Sequence, residues 1–348
     1  MNHTGKVTIR DVAREAGVSP TTVSRSLSKP GRVNLETATR VREVAERLGY
    51  RTKDLRPAPD DALRGMILTT ASDIRYSVFA DFVNGMQQPC MQRQFILLTA
   101  ITEENHMLER STIMRMESHV DGLLLTSSRL SDSTVRKVAQ MKPVVVINRL
   151  VSGVQSVISD DRPALAKVVR RLKELGHHSI TYIAGPENSW QNGLRWQALL
   201  VACQKEQIRL RQVPGPKLVS GESGGVTNRF GPIDETYREF MRKPSTAVVC
   251  FNDSFALQFM EYLQGTGVDV PGQVSVVGVD DMPDASRSLP KLATLRTPRE
   301  DMGAIAATKL IERILHISDG NAAPIVRYSE FVERDSVAPA PERPLAAN

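Results

Sequence analysis

Apolar side chains recur at helical spacing in the first fifty residues of the chain. Ile9, Val12 and Ala16 fall on one face of a short segment, and this spacing predicts an amphipathic helix. Gly17 follows the last apolar position, where the left-handed backbone that closes a helix suits glycine. Ser19 then supplies an N-cap oxygen for a second helix. The pattern predicts two short helices joined by a tight turn, which is a helix-turn-helix.

The second helix carries side chains suited to DNA. After Pro20 at its first position come short hydrogen-bonding groups and one long cation, namely Thr21, Thr22, Ser24 and Arg25. Such groups reach base edges and phosphates in a major groove. A third helix follows, with Asn34 as its cap and apolar residues as far as Leu48. Three helices of this length can bury one small core, although any small helical bundle shows similar stripes.

Charge favours the DNA-binding interpretation over a plain helical bundle. Residues 1–60 hold twelve Lys or Arg against seven Asp or Glu, so five of the chain's net +6 charges lie in this segment. Concentrated positive charge on a small helical domain is typical of a protein that binds a polyanion. We therefore expect DNA contacts from Thr8, Arg10, Ser19, Pro20, Thr21, Ser24, Arg25, Asn34 and Thr37.

From residue 65 onward, short apolar runs alternate with longer amphipathic stretches. The predicted strands are Met66–Thr69, Phe95–Thr99, Gly122–Leu125, Val144–Ile147, Ser179–Ala184, Ala247–Phe251 and Val274–Val279. The predicted helices are Val78–Gln92, Glu104–Ser118, Ser131–Gln140, Arg162–Leu175, Gln191–Gln207, Asp234–Arg242, Asp253–Thr266 and Glu300–Ser318. This alternation predicts parallel sheets with helices on both faces, and its length indicates two sheets rather than one.

Composition points to a globular protein without export or metal signals. The chain has 348 residues, of which 41% are apolar and 24% charged, as is usual for a protein with a large core. Its three cysteines are scattered, so we expect no disulfide framework, no metal site and a reducing compartment. The N-terminus lacks the apolar core of a signal peptide, and no run approaches the length of a membrane span. We expect a cytoplasmic protein with no membrane partner.

Several fragments in order resemble the DNA-binding domain of the lactose-repressor (LacI/GalR) family of transcriptional regulators. They are Thr8–Ala13, Ala16–Ser19, Thr22–Arg25 and Leu48–Tyr50. Landmarks of that family's effector domain follow at Asp121–Leu125, Leu175–His177, Ile183–Pro186, Phe251–Asp253, Val274–Asp281 and Leu289–Arg296. The resemblance covers residues 6–335.

The resemblance implies a domain order. We expect a helix-turn-helix domain at 1–56, a linker at 57–64, a two-lobed effector domain at 65–335 and a disordered tail at 336–348. The effector domain would be periplasmic-binding-protein-like, with two Rossmann-like α/β lobes that the chain crosses three times and a ligand in the cleft between them. We expect a homodimer on a two-fold symmetric operator, because one head offers too few base contacts for strong discrimination. The Pro/Ala-rich tail has no Leu heptad, which argues against a coiled-coil tetramer.

Carried over residue by residue, the resemblance implies an effector site in the cleft. Its members would be Phe79, Thr126, Asp160, Ser189, Gln191, Arg195, Asn252 and Asp280. Carboxylates, an amide and a guanidinium suit a ligand rich in hydroxyl or carboxylate groups. Arg195 would hold a carboxylate or two vicinal hydroxyls through its planar fork, and Asp280 is the best candidate to accept from two hydroxyls.

Structural roles compete with these assignments. Asn252 and Asp161 are each a candidate cap for the helix that follows, and Asp281 is expected to be structural. We expect His177 to satisfy helix-end carbonyls rather than bind metal. Trp190 is a candidate for stacking on a sugar, whereas Trp196 is expected in the core. The stretch with Met107, Met114 and Met116 is expected to pack.

The linker departs from the family's pattern. The family has a short hinge helix after Gly-Tyr that places a Leu in the minor groove. Here Pro57 and Pro59 fall inside that segment, and proline disrupts a helix interior. Leu55 and Leu63 are the possible substitutes. We expect residues 54–62 to be extended or to form one irregular turn.

The leading hypothesis is a ligand-responsive transcription regulator, a repressor, that senses a small polar metabolite such as a sugar or sugar-derived acid. The alternatives are a cytoplasmic sugar-binding protein with a non-functional DNA-binding head, and an α/β enzyme. The enzyme hypothesis is disfavoured because the sequence shows no set of catalytic residues: there is no nucleophile elbow, phosphate-binding lysine loop or zinc-protease helix. We expect no cofactor.

Overall fold

The structure, a computed structural model, describes residues 7–28, 33–48, 50, 63–220, 226–317, 323–343 and 345–346. Internal contacts divide the chain into two units, Met1–Ala62 and Leu63–Asn348. The predictions for Leu55, Pro57, Pro59 and most of the linker fall outside the described residues. In the part of the chain that is described, no helix combines the length and the apolar character needed to cross a membrane.

The described part of the N-terminal unit consists of three helices, α1 (Ile9–Ala16), α2 (Pro20–Ser28) and α3 (Leu35–Arg47). The amide of Thr8 donates to Asp11 Oδ2 over 2.9 Å at the start of α1. That helix ends at Gly17, whose φ is +65°. Ser19 Oγ accepts from the amide of Thr22 over 3.1 Å and so caps α2. The predicted helix-turn-helix is confirmed, with the glycine turn and the serine cap where they were expected.

One small core joins these three helices. Its buried side chains are Val12, Ala13, Ala16, Val23, Val41, Val44 and Ala45. Because α2 contributes only Val23 to this set, most of its surface is left for solvent or a partner.

Strands and helices alternate along the second unit. In chain order they are β1 (Met66–Ala71), α4 (Ser77–Gln92), β2 (Ile96–Ile101), α5 (His106–Met116), β3 (Gly122–Thr126), α6 (Asp132–Met141), β4 (Val144–Ile147), β5 (Gln155–Asp160), α7 (Arg162–Glu174), β6 (Ser179–Ala184), α8 (Trp190–Lys205), β7 (Arg209–Pro214), β8 (Leu218–Ser220), β9 (Val226–Phe230), α9 (Asp234–Met241), β10 (Ala247–Cys250), α10 (Asp253–Gly265), β11 (Ser275–Val277), β12 (Thr294–Arg296), α11 (Arg299–Ile314), β13 (Ile325–Tyr328) and β14 (Glu330–Val332).

Two parallel sheets form two lobes. The sheet of lobe 1 has the order β13-β5-β4-β3-β1-β2, and the sheet of lobe 2 has the order β11-β10-β6-β7. Helices α4 and α11 cover one face of the first sheet, and α5 and α6 cover the other. Helices α7 and α8 cover one face of the second sheet, and α9 and α10 cover the other. The predicted α/β architecture of two lobes is confirmed.

The chain passes between the lobes three times, as expected. It leaves lobe 1 after β5 at Asp161, returns before α11 at Thr297 and leaves again after β13 at Ser329. Each of these three residues is buried. The strand β14 then pairs antiparallel with β12 beside lobe 2.

Two glycines let α4 and α11 approach closely in lobe 1. A Cβ on Gly85 would lie 1.9 Å from the carbonyl oxygen of Glu300, and a Cβ on Gly303 would lie 2.2 Å from that of Phe82. The backbones therefore touch where the two helices cross, and neither position has room for a side chain.

The chain after residue 335 corrects an expectation. Ser336 is buried and its Oγ donates to the carbonyl of Val276 over 2.6 Å. The amide of Ala340 donates to the carbonyl of Leu175 over 2.8 Å. The expected disordered tail is therefore wrong for residues 336–343, because backbone hydrogen bonds that composition does not reveal hold this segment on lobe 2.

Candidate functional site

The face of α2 that points away from the small core carries the predicted DNA contacts. Pro20, Thr21, Ser24 and Arg25 are all exposed, whereas Val23 is buried. Helix periodicity thus separates a core side from a polar side, and the polar side holds the groups that suit a major groove.

The remaining predicted DNA contacts lie around this helix. Thr8, Arg10, Ser19 and Asn34 are exposed, and Thr37 is half-buried. Ser19 and Asn34 also cap helices, since Asn34 Oδ1 accepts from the amide of Glu36 over 3.0 Å. Ser19 and Asn34 therefore have a structural role as helix caps, whether or not they also contact DNA.

The second unit contains a cavity of about 440 Å³ between its lobes. Loops that follow strands supply much of its wall: Asp73 after β1, Ser127 after β3, Asn148 after β4, Phe251 after β10 and Asp280 after β11. Ligands of open parallel sheets bind at these carboxyl ends. The cavity, called the cleft below, is thus placed where the fold class predicts a ligand.

Six of the eight predicted effector residues line the cleft. They are Phe79, Ser189, Gln191, Arg195, Asn252 and Asp280. The structure does not bring Thr126 and Asp160 to it.

Thr126 faces the interior of lobe 1 instead of the cleft. Its Oγ1 lies 3.5 Å from Thr69 Oγ1, and its side chain is buried. The next residue, Ser127, has a φ of +53° and lines the cleft. In a strand, successive side chains point to opposite faces, and the left-handed turn at Ser127 ends this alternation. The cleft residue is therefore Ser127 and not the predicted Thr126.

Asp160 binds a surface arginine. Its carboxylate accepts from Arg162 Nε over 2.8 Å and from Arg162 Nη2 over 2.7 Å. These hydrogen bonds hold the pKa of Asp160 below its ordinary value, although partial burial opposes them. The neighbouring Asp161, which was expected to cap α7, makes no cap bond and points inward.

Arg195 is the most constrained side chain of the cleft. Its side chain is 7% exposed. Its Nε donates to Asp161 Oδ2 over 2.8 Å and its Nη1 to the carbonyl of Phe251 over 2.7 Å. The guanidinium also lies 5.1 Å from the centre of the Phe251 ring. Burial acts to lower the pKa of Arg195, but Asp161 and Asp280 outweigh it and raise that pKa. The guanidinium is permanently charged.

Asp280 follows β11 of lobe 2 and contacts residues of both lobes. Its Oδ1 lies 3.7 Å from Arg195 Nη2, and its Oδ2 accepts from the hydroxyl of Tyr76 in lobe 1 over 3.1 Å. Arg299 Nη1 donates to its backbone carbonyl. Burial raises the pKa of Asp280, and the two arginines oppose that rise. Its φ of +120° is unusual for a residue with a side chain, and such strain is concentrated at functional sites.

A chain of hydrogen bonds runs from this site to the crossings between the lobes. Ser329 Oγ donates to Asp161 Oδ1 over 2.5 Å, and Thr297 Oγ1 lies 3.1 Å from Ser329 Oγ. One residue from each crossing is thus linked to Arg195 through Asp161. Arg195 is therefore connected through hydrogen bonds to all three segments that join the lobes.

The structure also resolves several competing roles. Asn252 Oδ1 accepts from the amide of Phe255 over 2.9 Å, so it caps α10 while lining the cleft. Trp196 packs in the core, with its ring 6.0 Å from that of Tyr182. Trp190 is 43% exposed and lines the cleft.

Three expectations from the sequence concerned His177, Asp281 and the methionines. The backbone amide of His177 donates to the carbonyl of Leu172 in the last turn of α7 over 3.0 Å, as expected, while its ring contacts Thr246 Oγ1 at 2.8 Å and the carbonyl of Ala338 at 3.0 Å. Asp281 is structural, paired with Arg296 at 2.6 Å and Arg334 at 2.5 Å. Met107 and Met114 are exposed, contrary to the expectation that they pack, whereas Met116 packs against the core of lobe 1 as expected.

Sequence reasoning missed further residues that line the cleft. They are Asp73, Arg75, Tyr76, Val78, Glu104, Ser127, Ser128, Arg129, Asn148, Arg149, Pro186, Phe251, Ser254 and Gln258, besides Trp190, which was only a candidate. Most follow a strand or open a helix, and that position is the signal that points to them. Within the described residues, no cluster of His, Cys, Asp or Glu has the arrangement of a metal site.

Two family models match the chain. Residues 8–53 match the bacterial regulatory proteins of the lacI family, and residues 169–337 match the periplasmic binding protein-like domain. A Bacillus subtilis (strain 168) protein named probable HTH-type transcriptional repressor ExuR is 28% identical over 340 residues, which span 95% of this chain and 98% of that protein.

Solved structures share the fold. The lac repressor dimer bound to operator and the anti-inducer ONPF has a TM-score of 0.70 at 20% identity, covering 96% of this chain and 100% of that one. The transcriptional regulator CelR in complex with cellobiose has a TM-score of 0.66 at 22% identity, covering 95% of this chain and 99% of that one.

Proposed function

Because this chain belongs to the lacI family of bacterial regulatory proteins, we propose that its cleft binds a small polyhydroxylated metabolite, a sugar or sugar-derived acid, that changes its affinity for an operator. The chain is a DNA-binding transcriptional regulator whose relatives are repressors. We place its DNA-binding domain at 1–56 and its effector domain at 65–335. Ligand binding to the effector domain would regulate DNA binding by the N-terminal domain.

The observation that carries this proposal is the pair Arg195 and Asp280 at the meeting of the lobes. Their buried side chains offer a donor and an acceptor within 3.7 Å of each other. A sugar hydroxyl both donates and accepts, so it satisfies both groups at once. Tyr76, Phe79 and Trp190 add aromatic surface, which matches the apolar faces of sugar rings.

On DNA, the polar face of α2 would enter a major groove. Among the described residues, Arg10 and Arg25 have no carboxylate within ion-pair distance, whereas Arg14 lies 3.5 Å from Asp11 and Arg47 lies 3.0 Å from Glu15. The first two guanidiniums are therefore available for phosphates or base edges.

A dimer would place two such helices on a two-fold symmetric operator. We propose that the partner is a second copy that covers the edge of lobe 1. The strand β2 ends that sheet, and its Ile96 is 61% exposed. On the following helix α5, Met107 is 62% and Met114 is 52% exposed. An unpaired strand edge with apolar side chains invites pairing.

The oligomeric state tests this interface. Replacing Ile96 with Lys should convert the dimer to a monomer in analytical ultracentrifugation and weaken operator binding, since one head makes too few base contacts. Replacing the exposed Val201 on α8 with Lys is the matched control. A dimer that survives Ile96→Lys would place the interface elsewhere.

We propose that the cleft binds its ligand without turnover and that the protein acts in the cytoplasm, where operator DNA is located. The competing hypothesis, a sugar-binding protein with a non-functional head, predicts no specific DNA complex. The full-length protein is used to select its operator from a pool of random symmetric duplexes. Recovery of a specific sequence supports a regulator, and recovery of none supports a sugar-binding protein with a non-functional head.

The same operator tests the proposed function as a whole. Its affinity for the full chain is measured by fluorescence anisotropy at one fixed salt concentration, with and without a panel of sugars, sugar acids and purines. Thermal stabilisation by the same compounds reports binding independently of DNA. A sugar or sugar acid that both stabilises the chain and shifts operator affinity supports the proposal. If no compound does either, the proposed ligand class is wrong.

A further inference from the structure

Charged side chains of both signs line the wall of the cleft. Four arginines line it, Arg75, Arg129, Arg149 and Arg195, against three carboxylates, those of Asp73, Glu104 and Asp280. The helices α4, α8 and α10 begin at the cleft, and helix N-termini carry partial positive charge. Arg149 and Arg195 also pair with carboxylates outside the lining, those of Asp132 and Asp161, so net charge does not select a ligand; the N–H groups that these pairs leave free do.

Each of the three carboxylates already has a cation or donor in the wall. Asp73 accepts from Arg75 Nε over 2.9 Å and from Arg75 Nη2 over 2.8 Å. Glu104 accepts from Arg129 Nε. Asp280 has the contacts with Tyr76 and Arg195 described above. The carboxylates of the lining therefore have partners within the wall already, and a ligand need not supply them.

Arg129 keeps a free edge although its side chain is only 14% exposed, against 66% for that of Arg75. Its Nε is used by Glu104, and its Nη1 makes only a long contact of 3.4 Å with the carbonyl of Asn188 in lobe 2. Nη2 has no partner among the described residues. Arg149, by contrast, uses both terminal nitrogens on Ser128, Leu130 and Asp132. Guanidinium binds a carboxylate best through two parallel N–H groups, and the Nη1–Nη2 edge of Arg129 offers them.

The position of Arg129 is fixed before any ligand arrives. The buried carboxylate of Glu109 accepts from its amide over 3.0 Å, and Arg149 holds the carbonyls on either side of it. Its side chain is only 14% exposed, so the guanidinium is partly desolvated. A preorganised donor loses little conformational freedom on binding.

We propose that the effector is an anionic sugar whose carboxylate binds the Nη1–Nη2 edge of Arg129, and that Arg129 determines the preference for acids over neutral sugars. This inference rests on the proposed function, since it specifies the ligand class of the same cleft. The contact of Arg129 with Asn188 links lobe 1 to lobe 2, so the bound carboxylate lies where the two lobes meet.

Calorimetry on the full-length protein tests the inference with matched probes. D-Glucuronate, D-galacturonate and D-gluconate are compared with D-glucose and D-galactose, for the wild type and for Arg129→Gln. The wild type should bind at least one acid more tightly than its neutral counterpart. The variant should lose about 10- to 100-fold in affinity for that acid, while the affinity for the neutral sugar changes little.

Two further variants make the result specific. Arg238→Gln removes an exposed arginine of α9, far from the cleft lining, and should keep the preference for acids. Arg129→Lys retains the charge without the planar fork and should give an intermediate loss. The midpoint of thermal unfolding without ligand shows that each variant is folded.

Three outcomes would overturn the inference. They are equal affinity of the wild type for acids and neutral sugars, an equal loss of both classes in Arg129→Gln, and no binding of any of the three acids. The first two leave the proposed function standing, because a neutral sugar still binds. A failure of the proposed function is recognised separately, as an operator affinity that no compound of the wider panel changes.

Discussion

Arg195 donates from Nε to Asp161 Oδ2 over 2.8 Å, and this bond joins the ligand cleft to the first crossing between the lobes. Both side chains are buried, and Asp161 also accepts from Ser329 on the third crossing. Breaking a buried ion pair leaves one charge without a partner. Arg195 is therefore both a candidate ligand contact and a structural support of the crossings between the lobes. An Arg195 variant would not separate these two roles.

Asp280 allows the ligand role to be tested more cleanly. Asp280→Asn keeps the shape and one acceptor oxygen but removes the charge beside Arg195. The loss of a charged hydrogen bond to a ligand costs about 1.5–3 kcal/mol, so ligand affinity should fall by about one to two orders of magnitude. Operator affinity without ligand should be unchanged, because Asp280 is in the second unit. Ligand affinity measured by calorimetry that equals the wild-type value would remove Asp280 from the effector site.

Arg25 is the test of the DNA-binding assignment. It is exposed on α2, and in the proposed complex its guanidinium would contact a guanine edge or a phosphate. Replacement by Ala should weaken binding by about 1–3 kcal/mol per half-site, measured by anisotropy at fixed salt. Arg47→Ala is a suitable control, since Arg47 is paired with Glu15 on the other helices. If both variants bind the operator like the wild type, α2 is not the recognition helix.

The sequence predicts some features of this fold well because burial dictates them. The strands Val144–Ile147 and Ser179–Ala184 were predicted with their observed bounds, since segments made mostly of apolar residues are typical of strands covered on both faces. The strands Arg209–Pro214 and Ile325–Tyr328 were missed. Both lie at sheet edges, carry polar residues and lack such a pattern.

For the site, the sequence predicts the segments that form the cleft better than the individual residues that line it. Position after a strand indicates the cleft, but it does not say which of two neighbours turns inward. Asp160 was chosen, yet Asp161 is the residue that meets Arg195. Thr126 was chosen, yet Ser127 lines the cleft because its φ is positive. Contacts such as Tyr76 with Asp280 join residues 204 apart in sequence, and they depend on the packing of both lobes.

Asp253 should make stability depend on pH near neutrality. Burial raises its pKa from 3.8 to about 7, and the nearby Asp280 adds to that rise. The folded state therefore binds a proton that the unfolded state has released, and stability falls as pH rises from about 4 to 7. Asp253→Asn resembles the protonated form, so its stability relative to the wild type should be greater at pH 8 than at pH 5, by on the order of 2 kcal/mol.

Urea unfolding at the two pH values measures this difference. The Asn side chain can still bind Thr294 and Met282, the two partners of Asp253. Asp269→Asn, an exposed aspartate beyond the same helix, controls for the general effect of removing a negative charge. A stability difference between Asp253→Asn and the wild type that is the same at both pH values would show that Asp253 does not titrate in this range.

The crossing of α4 and α11 gives a matched pair of glycine substitutions. A Cβ at Gly85 would lie 1.9 Å from the carbonyl oxygen of Glu300, whereas a Cβ at Gly193 on α8 meets nothing within 4 Å. Gly85→Ala should destabilise the protein by about 1–3 kcal/mol because two helix backbones must separate. Gly193→Ala should stabilise it by about 0.5–1 kcal/mol, since alanine loses less backbone entropy in a helix. Thermal unfolding followed by circular dichroism compares the two, and a Gly85→Ala midpoint at or above the wild-type value would mean that α4 and α11 do not pack at backbone distance.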